Sequence, residues 1–373
     1  MQTIVIIAHH AVSLLNFRGL LIRDLVKAGN RVYCLAPDYD AVTRRALQAR
    51  GATPVDYGLQ RTGMNPLRDV RDVARLTRTL RRLRPDVVFS FSTKPMVYGT
   101  VAAWLARVPR RVAMVEGAGY VFTTTTSRQT WRRRALRGMV EKLYRFALQR
   151  AHRVIFLNPD DLGEFVGLGL VPAGRAALLG GIGVDLDAWR LAPPVVAPIR
   201  FLLVARLLRE KGIFEYVAAA RQILQQYPQS EFVLLGGLDT NPGGLSRLEV
   251  QAWVDEGVLQ WPGHVPVRSW IEQASVFVLP SYREGVPLST QEAMAMGRPV
   301  ITTDVPGCRQ TVEEGVNGYI VPVCDVDALA SAMCRFIDAP EQISVMGQAS
   351  REIAERDFDV RSINKTLMGY LLK

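Results

Sequence analysis

Along this 373-residue chain, short runs of β-branched and other apolar residues alternate with longer stretches whose apolar positions recur every three or four residues. In the first half the runs are Thr3–Ala8, Arg31–Ala36, Asp86–Phe91, Arg111–Glu116 and Arg153–Leu157. In the second half they are Arg200–Ala205, Glu231–Gly236, Ser275–Pro280, Pro299–Thr303 and Gly318–Pro322. Segments of helical period lie between them, among them Arg18–Gly29, Pro66–Leu83 and Val97–Arg107. Continuous apolar strands alternating with helices predict an α/β fold, with parallel sheets covered on both faces. The chain is longer than one hydrophobic core usually supports. Leu191–Pro198, with three prolines in eight residues, reads as a linker near the middle. The expected architecture is two Rossmann-like domains, residues 1–192 and 193–373, facing each other across a cleft. A last helix at about 359–373 is placed to pack back on the first domain.

Two amphipathic stretches bring charge into the picture. In Pro66–Leu83, an apolar stripe of Leu67, Val70, Val73, Leu76, Leu80 and Leu83 is matched on another face by Arg68, Arg71, Arg75, Arg78 and Arg82. Tyr120–His152 opens with YVFTTTTS and passes through Trp131-Arg132-Arg133-Arg134. It then becomes amphipathic through Leu136, Met139, Val140, Leu143 and Phe146. Residues 1–195 hold 30 basic and 14 acidic side chains, whereas residues 196–373 hold 16 and 21. A basic half joined to a mildly acidic one is expected to face something anionic: phospholipid, a phosphorylated substrate or nucleic acid. Aromatic residues interleaved with arginines favour a membrane interface, and no nucleic-acid-binding motif is present. The expectation is a peripheral protein on the inner face of the plasma membrane. No apolar run approaches the roughly 20 residues of a bilayer span, and Met1–Ala8 lacks the basic and apolar regions of a signal peptide. Hydrophobic residues make up 49% and charged residues 22%, which excludes a disordered or fibrous chain. Cys34, Cys308, Cys324 and Cys334 form no CxxC pair, so reduced thiols are expected.

The segment with the most specific chemistry is PSYREGVPLSTQEAMAMGRP, Pro280–Pro299. It sets Glu284 and Glu292 eight positions apart, on either side of Gly285-Val286-Pro287-Leu288 and the start of a helix near Ser289. A helix N-terminus and bare backbone suit phosphate, and a carboxylate beside them suits vicinal hydroxyls. Arg206 and Lys211 follow the first strand of the second half, where two cations can clamp a diphosphate. Gly236 and Gly237 end a further strand and permit close approach, and Trp261–Val265 offers backbone groups to a flat base. His9 and His10 end the first strand, where open α/β sheets bind ligands. The acidic pairs Asp38/Asp40, Asp185/Asp187 and Asp325/Asp327 have the DxD spacing of some metal sites, but none is expected to hold a metal. Ser13 and Ser289 have no adjacent triad partners, which argues against a serine hydrolase.

The ordered series ARLLREKG, LLGG, WPGHV, SYREGVPLSTQEAMAMGRPVI and GVNGYIVP resembles the retaining glycosyltransferases of the GT-B fold, family four. VEGAGYVFT, the His9–Arg18 segment and GGIGVDLDAW are similar to the bacterial members that extend polyprenyl-diphosphate-linked sugars. The resemblance implies a UDP-sugar donor, a lipid-linked saccharide acceptor and no metal or other cofactor. Arg206 and Lys211 match the pair on the donor diphosphate, Glu284 the glutamate at the sugar, and Glu292 the glutamate on the ribose. Gly285–Leu288 match the backbone at the sugar and phosphates, with Gly236 and Gly237 also on the donor side and the loop around Val265 at the uracil. Glu116 stands where many members carry a histidine, and His9, His10, Asn16 and Arg18 fall on the acceptor side. AHHAVSLLNFRG lacks the paired glycines of the family's early loop. The alternative is a nucleotide-sugar epimerase, which shares the two-domain architecture.

Overall fold

A computed structural model describes residues 1–58, 66–118, 122, 131–239, 241 and 243–372. The chain forms two compact units, Met1–Gly180 with Arg361–Lys373, and Gly181–Val360. The division falls ahead of the proline-rich segment, for a physical reason. Within the second unit, the buried Arg298 donates from Nη2 to the carbonyls of Ala192 and Pro193, at 2.9 and 2.8 Å. That segment is tied down and does not act as a free linker.

In unit 1 the strands are β1 (Thr3–Ile7), β2 (Arg31–Ala36), β3 (Thr53–Asp56), β4 (Val87–Phe91), β5 (Arg110–Val115), β6 (Arg153–Phe156) and β7 (Ala176–Leu178). Its helices are α1 (Ala11–Lys27), α2 (Ala41–Gln48), α3 (Pro66–Leu83), α4 (Thr93–Leu105), α5 (Trp131–Leu148) and α6 (Pro159–Gly167). The strands run parallel in the order β3-β2-β1-β4-β5-β6-β7. In unit 2, β8 (Arg200–Val204), β9 (Glu231–Leu235), β10 (Gln260–Gly263), β11 (Val276–Leu279), β12 (Val300–Thr303) and β13 (Gly318–Val321) form a second parallel sheet. Its order is β10-β9-β8-β11-β12-β13. Its helices are α7 (Ile213–Gln226), α8 (Arg247–Asp255), α9 (Arg268–Glu272), α10 (Leu288–Ala295), α11 (Val326–Asp338) and α12 (Glu341–Asp357). The closing helix α13 (Val360–Leu372) returns to unit 1. There Asn364 donates to Asp24 at 3.2 Å, and Arg110 donates to the Tyr370 carbonyl at 2.8 Å.

Every apolar run read from the sequence is a strand. The strands without such a run, β3, β7 and β10, all lie at sheet edges, where a short strand or one containing a proline is tolerated. In each sheet the chain builds outward on one side and then returns to the other. The switch points lie between β1 and β4 and between β8 and β11, where ligands bind at the carboxyl ends of strands.

The amphipathic helices depart from expectation in part. On α3, Leu76 and Leu80 are buried and Val73 packs on the core, but Val70 is 68% exposed with the arginines. On α5, Tyr144, Ala147 and Leu148 carry the buried face, and Met139, Leu143 and Phe146 point outward. The side chains of Leu67, Trp131–Arg134 and Leu136, and most of YVFTTTTS, lie outside the described residues.

Gly212 precedes α7 with φ +70, and a Cβ there would stand 2.0 Å from the Pro280 carbonyl oxygen. Gly29 has φ +81 with nothing within 4 Å. Gly212→Ala is therefore expected to cost about 3 kcal/mol or more by denaturant unfolding, and Gly29→Ala about 1 kcal/mol. Equal midpoint shifts would show that the contact with Pro280 does not constrain the turn.

Candidate functional site

In unit 2 the predicted residues gather at the carboxyl ends of neighbouring strands. Lys211 follows β8 and Glu284 follows β11. Their Nζ and Oε1 atoms are 2.5 Å apart, and each side chain is 14% exposed. Ser281, which the sequence reading missed, donates to the same Glu284 oxygen at 2.8 Å. A half-buried charge survives only when paired and hydrogen-bonded, and this carboxylate has both kinds of partner. Arg206 is 55% exposed and pairs with the shielded Asp239 at 3.0 Å. It is thus an outer cation, whereas Lys211 is the inner one. Glu210 lies in the same cluster. Burial pushes its carboxyl up, Lys211 and Arg206 pull it back, and Glu284 and Asp239 add to the rise.

Gly285, Val286 and Pro287 are buried and lead into α10, which begins at Leu288. The first turn of α10 carries no acidic residue, so its positive end is not neutralised from within. Buried Gln291 accepts from Gly183 N–H at 3.0 Å and donates to the Val286 carbonyl at 3.2 Å, which fixes this entry. Glu292 lies in the second turn. It is half-buried, and no hydrogen bond or ion pair among the described residues engages its carboxylate. Burial alone pushes that carboxyl up to about 8. Gly236 donates to the Gly263 carbonyl at 3.0 Å and accepts from Trp261 Nε1 at 3.0 Å. This holds the β9 and β10 ends together, with Gly237 against His264 and Val265 half-buried beyond.

In unit 1 the expected His9–Arg18 loop is mostly helix, because α1 begins at Ala11. Asp38 accepts from Ala11 N–H at 2.7 Å and from His10 Nδ1 at 2.6 Å, capping the positive end of α1. Half-buried His9 sits at the β1 end, and Asn16 lies on the exposed face of α1. Arg18 is a correction. Its side chain is 1% exposed, so it cannot grip an acceptor. Instead its guanidinium lies over Phe89 and Phe91 at 5.7 and 5.0 Å and donates to Glu116 Oε1 at 2.9 Å. Glu116 ends β5 with 20% of its side chain exposed. Burial pushes its carboxyl up; Arg18 and the hydroxyl and backbone N–H of Ser92 pull it back. Ser92, also missed by the sequence reading, donates to Glu116 Oε2 at 3.1 Å from a backbone at φ +68, ψ 149. That region belongs to glycine and costs another residue about 1–3 kcal/mol. The DxD acids serve as caps: Asp40 on α2, Asp185 on the turn at Asp187–Ala188, and Asp325 on α11. Among the described residues no cluster of three or more His, Cys, Asp or Glu could hold a metal.

Two parallel α/β units of this topology define the GT-B class of glycosyltransferases. Solved structures share the fold: sucrose-phosphate synthase from Thermosynechococcus elongatus has a TM-score of 0.80 at 21% identity, covering 99% of this chain and 98% of the other. Anabaena HepE in complex with UDP-glucose has a TM-score of 0.77 at 18% identity, covering 99% of both chains. Family models match in both halves, "Glycosyltransferase Family 4" at residues 20–186 and "Glycosyl transferases group 1" at 198–339. The chain belongs to the family 4 glycosyltransferases. One relative is the N,N'-diacetylbacillosaminyl-diphospho-undecaprenol alpha-1,3-N-acetylgalactosaminyltransferase of Campylobacter jejuni, 27% identical over 84% of this chain and 83% of the relative. Another is the UDP-Gal:alpha-D-GlcNAc-diphosphoundecaprenol alpha-1,3-galactosyltransferase of Escherichia coli, 25% identical over 79% and 77%.

Glu292 gives a pH prediction. Hydroxyls donating to its charged form favour ionisation, so binding a ribose at this carboxyl releases a proton when the free group sits near 8. UDP affinity should rise up to tenfold per pH unit as pH approaches 8 and level off above it. Calorimetry in buffers of different ionisation heat should register the released proton, and Glu292→Gln should bind weakly and without this slope. A wild-type affinity that is flat between pH 6 and 9 would remove Glu292 from the nucleotide site.

Proposed function

We propose that the protein moves a hexose or N-acetylhexosamine from a UDP-sugar to a lipid-linked saccharide, with retention at the anomeric carbon and without a bound metal, in assembly of a bacterial surface polysaccharide or glycan. The observation that carries this reading is the unpartnered Glu292 on α10, the helix that follows the loop bearing the Lys211-paired Glu284. Glu292 accepts from two ribose hydroxyls. Lys211, the outer Arg206 and the N–H groups at the start of α10 take the diphosphate, and Glu284 accepts from the sugar. The Gly285–Leu288 backbone lies along the donor, and the Gly236–Gly237 and Gly263–Val265 turns hold the uracil. Glu116 is the group of unit 1 that accepts from the acceptor hydroxyl. In a retaining transfer the diphosphate leaves on the face where the acceptor arrives. The protein therefore works by orienting two substrates and stabilising the leaving group. The names of the Campylobacter and Escherichia relatives support a diphosphoundecaprenol-linked acceptor.

Such an acceptor lies in a membrane, and among the described residues no helix is long and apolar enough to cross one. We place the protein peripherally on the inner, cytoplasmic face, held by unit 1. On α3 the carboxylates turn inward: Asp72 is buried and Asp69 accepts from Tyr98 at 2.9 Å. Arg68, Arg71, Arg75, Arg78 and Arg82 turn outward. Exposed Met139, Leu143 and Phe146 line α5, and Arg150 stacks on Phe146 and Trp104 at 3.5 and 4.5 Å. An apolar stripe beside outward cations suits anionic headgroups.

Incubating the protein with individual UDP-sugars and a bacterial lipid extract should give, by mass spectrometry, a lipid one sugar longer. Lys211→Ala should lower its yield rate about 100-fold. An epimerised UDP-sugar formed without any lipid would instead support the epimerase. Co-sedimentation with phosphatidylglycerol vesicles should fall as salt shortens the screening length below about 8 Å and should weaken in Phe146→Glu. Binding indifferent to salt and to anionic lipid would detach unit 1 from the membrane.

A further inference from the structure

Ser92 is one of the described non-glycine residues at positive φ, and its conformation and chemistry disagree. Its φ of +68 with ψ 149 is a glycine geometry, yet it carries a side chain, and that side chain donates to Glu116 Oε2 at 3.1 Å. The other Glu116 oxygen is taken by Arg18 at 2.9 Å. Arg18 is sealed, with its guanidinium against Phe89, Phe91 and the Met114 sulfur. These groups come from three elements that meet beside the β1/β4 switch point: α1 supplies Arg18, the β4–α4 junction supplies Ser92, and the end of β5 supplies Glu116. Arg18 is 1% exposed and Glu116 20%, so a substrate can reach the carboxylate but not the cation behind it.

We infer that Ser92 and Arg18 are positioning residues that fix the orientation of the Glu116 carboxyl group at the carboxyl ends of the first sheet's strands, where it receives an acceptor hydroxyl. The inference rests on the acceptor role given to Glu116 above and names the device that makes that role possible. A carboxylate has about four lone-pair sites. Arg18 binds Oε1 and the Ser92 hydroxyl binds Oε2, which fixes both the plane and the tilt of the group and leaves lone-pair sites for a substrate. A glycine at position 92 would relax the backbone but would remove the hydroxyl. The strain is therefore retained for what the hydroxyl does, as strained residues at functional sites commonly are. Arg18 supplies the compensating charge from α1, and Ser92 supplies the hydrogen bonds from the neighbouring strand end.

The test is a set of variants read in two ways. The first needs no substrate: titration of the Glu116 carboxyl carbon in glutamate-labelled protein, assigned by its loss in Glu116→Gln. Ser92→Ala and Arg18→Lys should each move its midpoint upward, by about one pH unit for Ser92→Ala. An unmoved midpoint in both overturns the inference whether or not the protein proves to be a transferase. The second readout is turnover of UDP-N-acetylgalactosamine with bacterial lipid extract, set against melting temperature. Ser92→Gly should melt several degrees higher than wild type yet turn over about tenfold more slowly, through kcat with KM for the donor unchanged. A glycine variant that is both more stable and fully active overturns the inference. Wild-type protein that makes no product with any UDP-sugar refutes the transferase reading instead, and the carboxyl titration then decides the clamp on its own.

Discussion

Lys211 and Glu284 meet at 2.5 Å where strands β8 and β11 end, and neither side chain is open enough to be stabilised by water alone. A cation so shielded from water has to be balanced by a nearby anion, and here the balancing group is the Glu284 carboxylate. Much of the surrounding structure follows from this pairing. The turn after β8 presses against the Pro280 carbonyl, which only a glycine at position 212 allows. Ser281 satisfies the same carboxylate oxygen from within the loop. Gln291, buried in α10, ties the loop entry to Gly183 so that the helix N-terminus stays pointed where the loop ends.

Unit 1 solves a related problem with different side chains. A carboxylate is needed at a strand end, and here its counter-charge is placed behind it, out of reach of solvent. Arg18 is sealed between Phe89 and Phe91 and neutralises Glu116 without competing for a ligand. Lys211 stands beside its carboxylate and keeps some exposure; Arg18 stands behind its own and keeps almost none. In the function proposed above, one sheet presents cations for a departing diphosphate, and the other presents a carboxylate for an incoming hydroxyl. These are the two charge demands of moving a sugar between oxygens.

Much of this was legible along the chain. The strands announce themselves because a parallel sheet covered on both faces needs continuous apolar runs, and the glutamates, Lys211 and Arg206 cluster in short segments that keep their order. The unread parts share one cause. Ser92 and Ser281 carry no local signal, since a serine after a strand is ordinary and only its neighbour in space gives it a role. The family resemblance of the His9–Arg18 segment sets Arg18 on the acceptor side. The early start of α1 turned it inward instead, onto two phenylalanines more than seventy positions away. The proline-rich segment looked free because proline content reports stiffness and says nothing of Arg298, whose guanidinium holds it.

The sequence by itself determined the fold class, the parallel sheets implied by its alternation, the basic character of the first half and the family-bearing motifs of the second, because periodicity, composition and short motifs are properties of neighbours along the chain. The tertiary structure decided which charges are compensated, which face outward and which backbone is strained. Burial and pairing depend on residues brought together from distant strands, and no count along the chain records whether a guanidinium ends in water or between two aromatic rings.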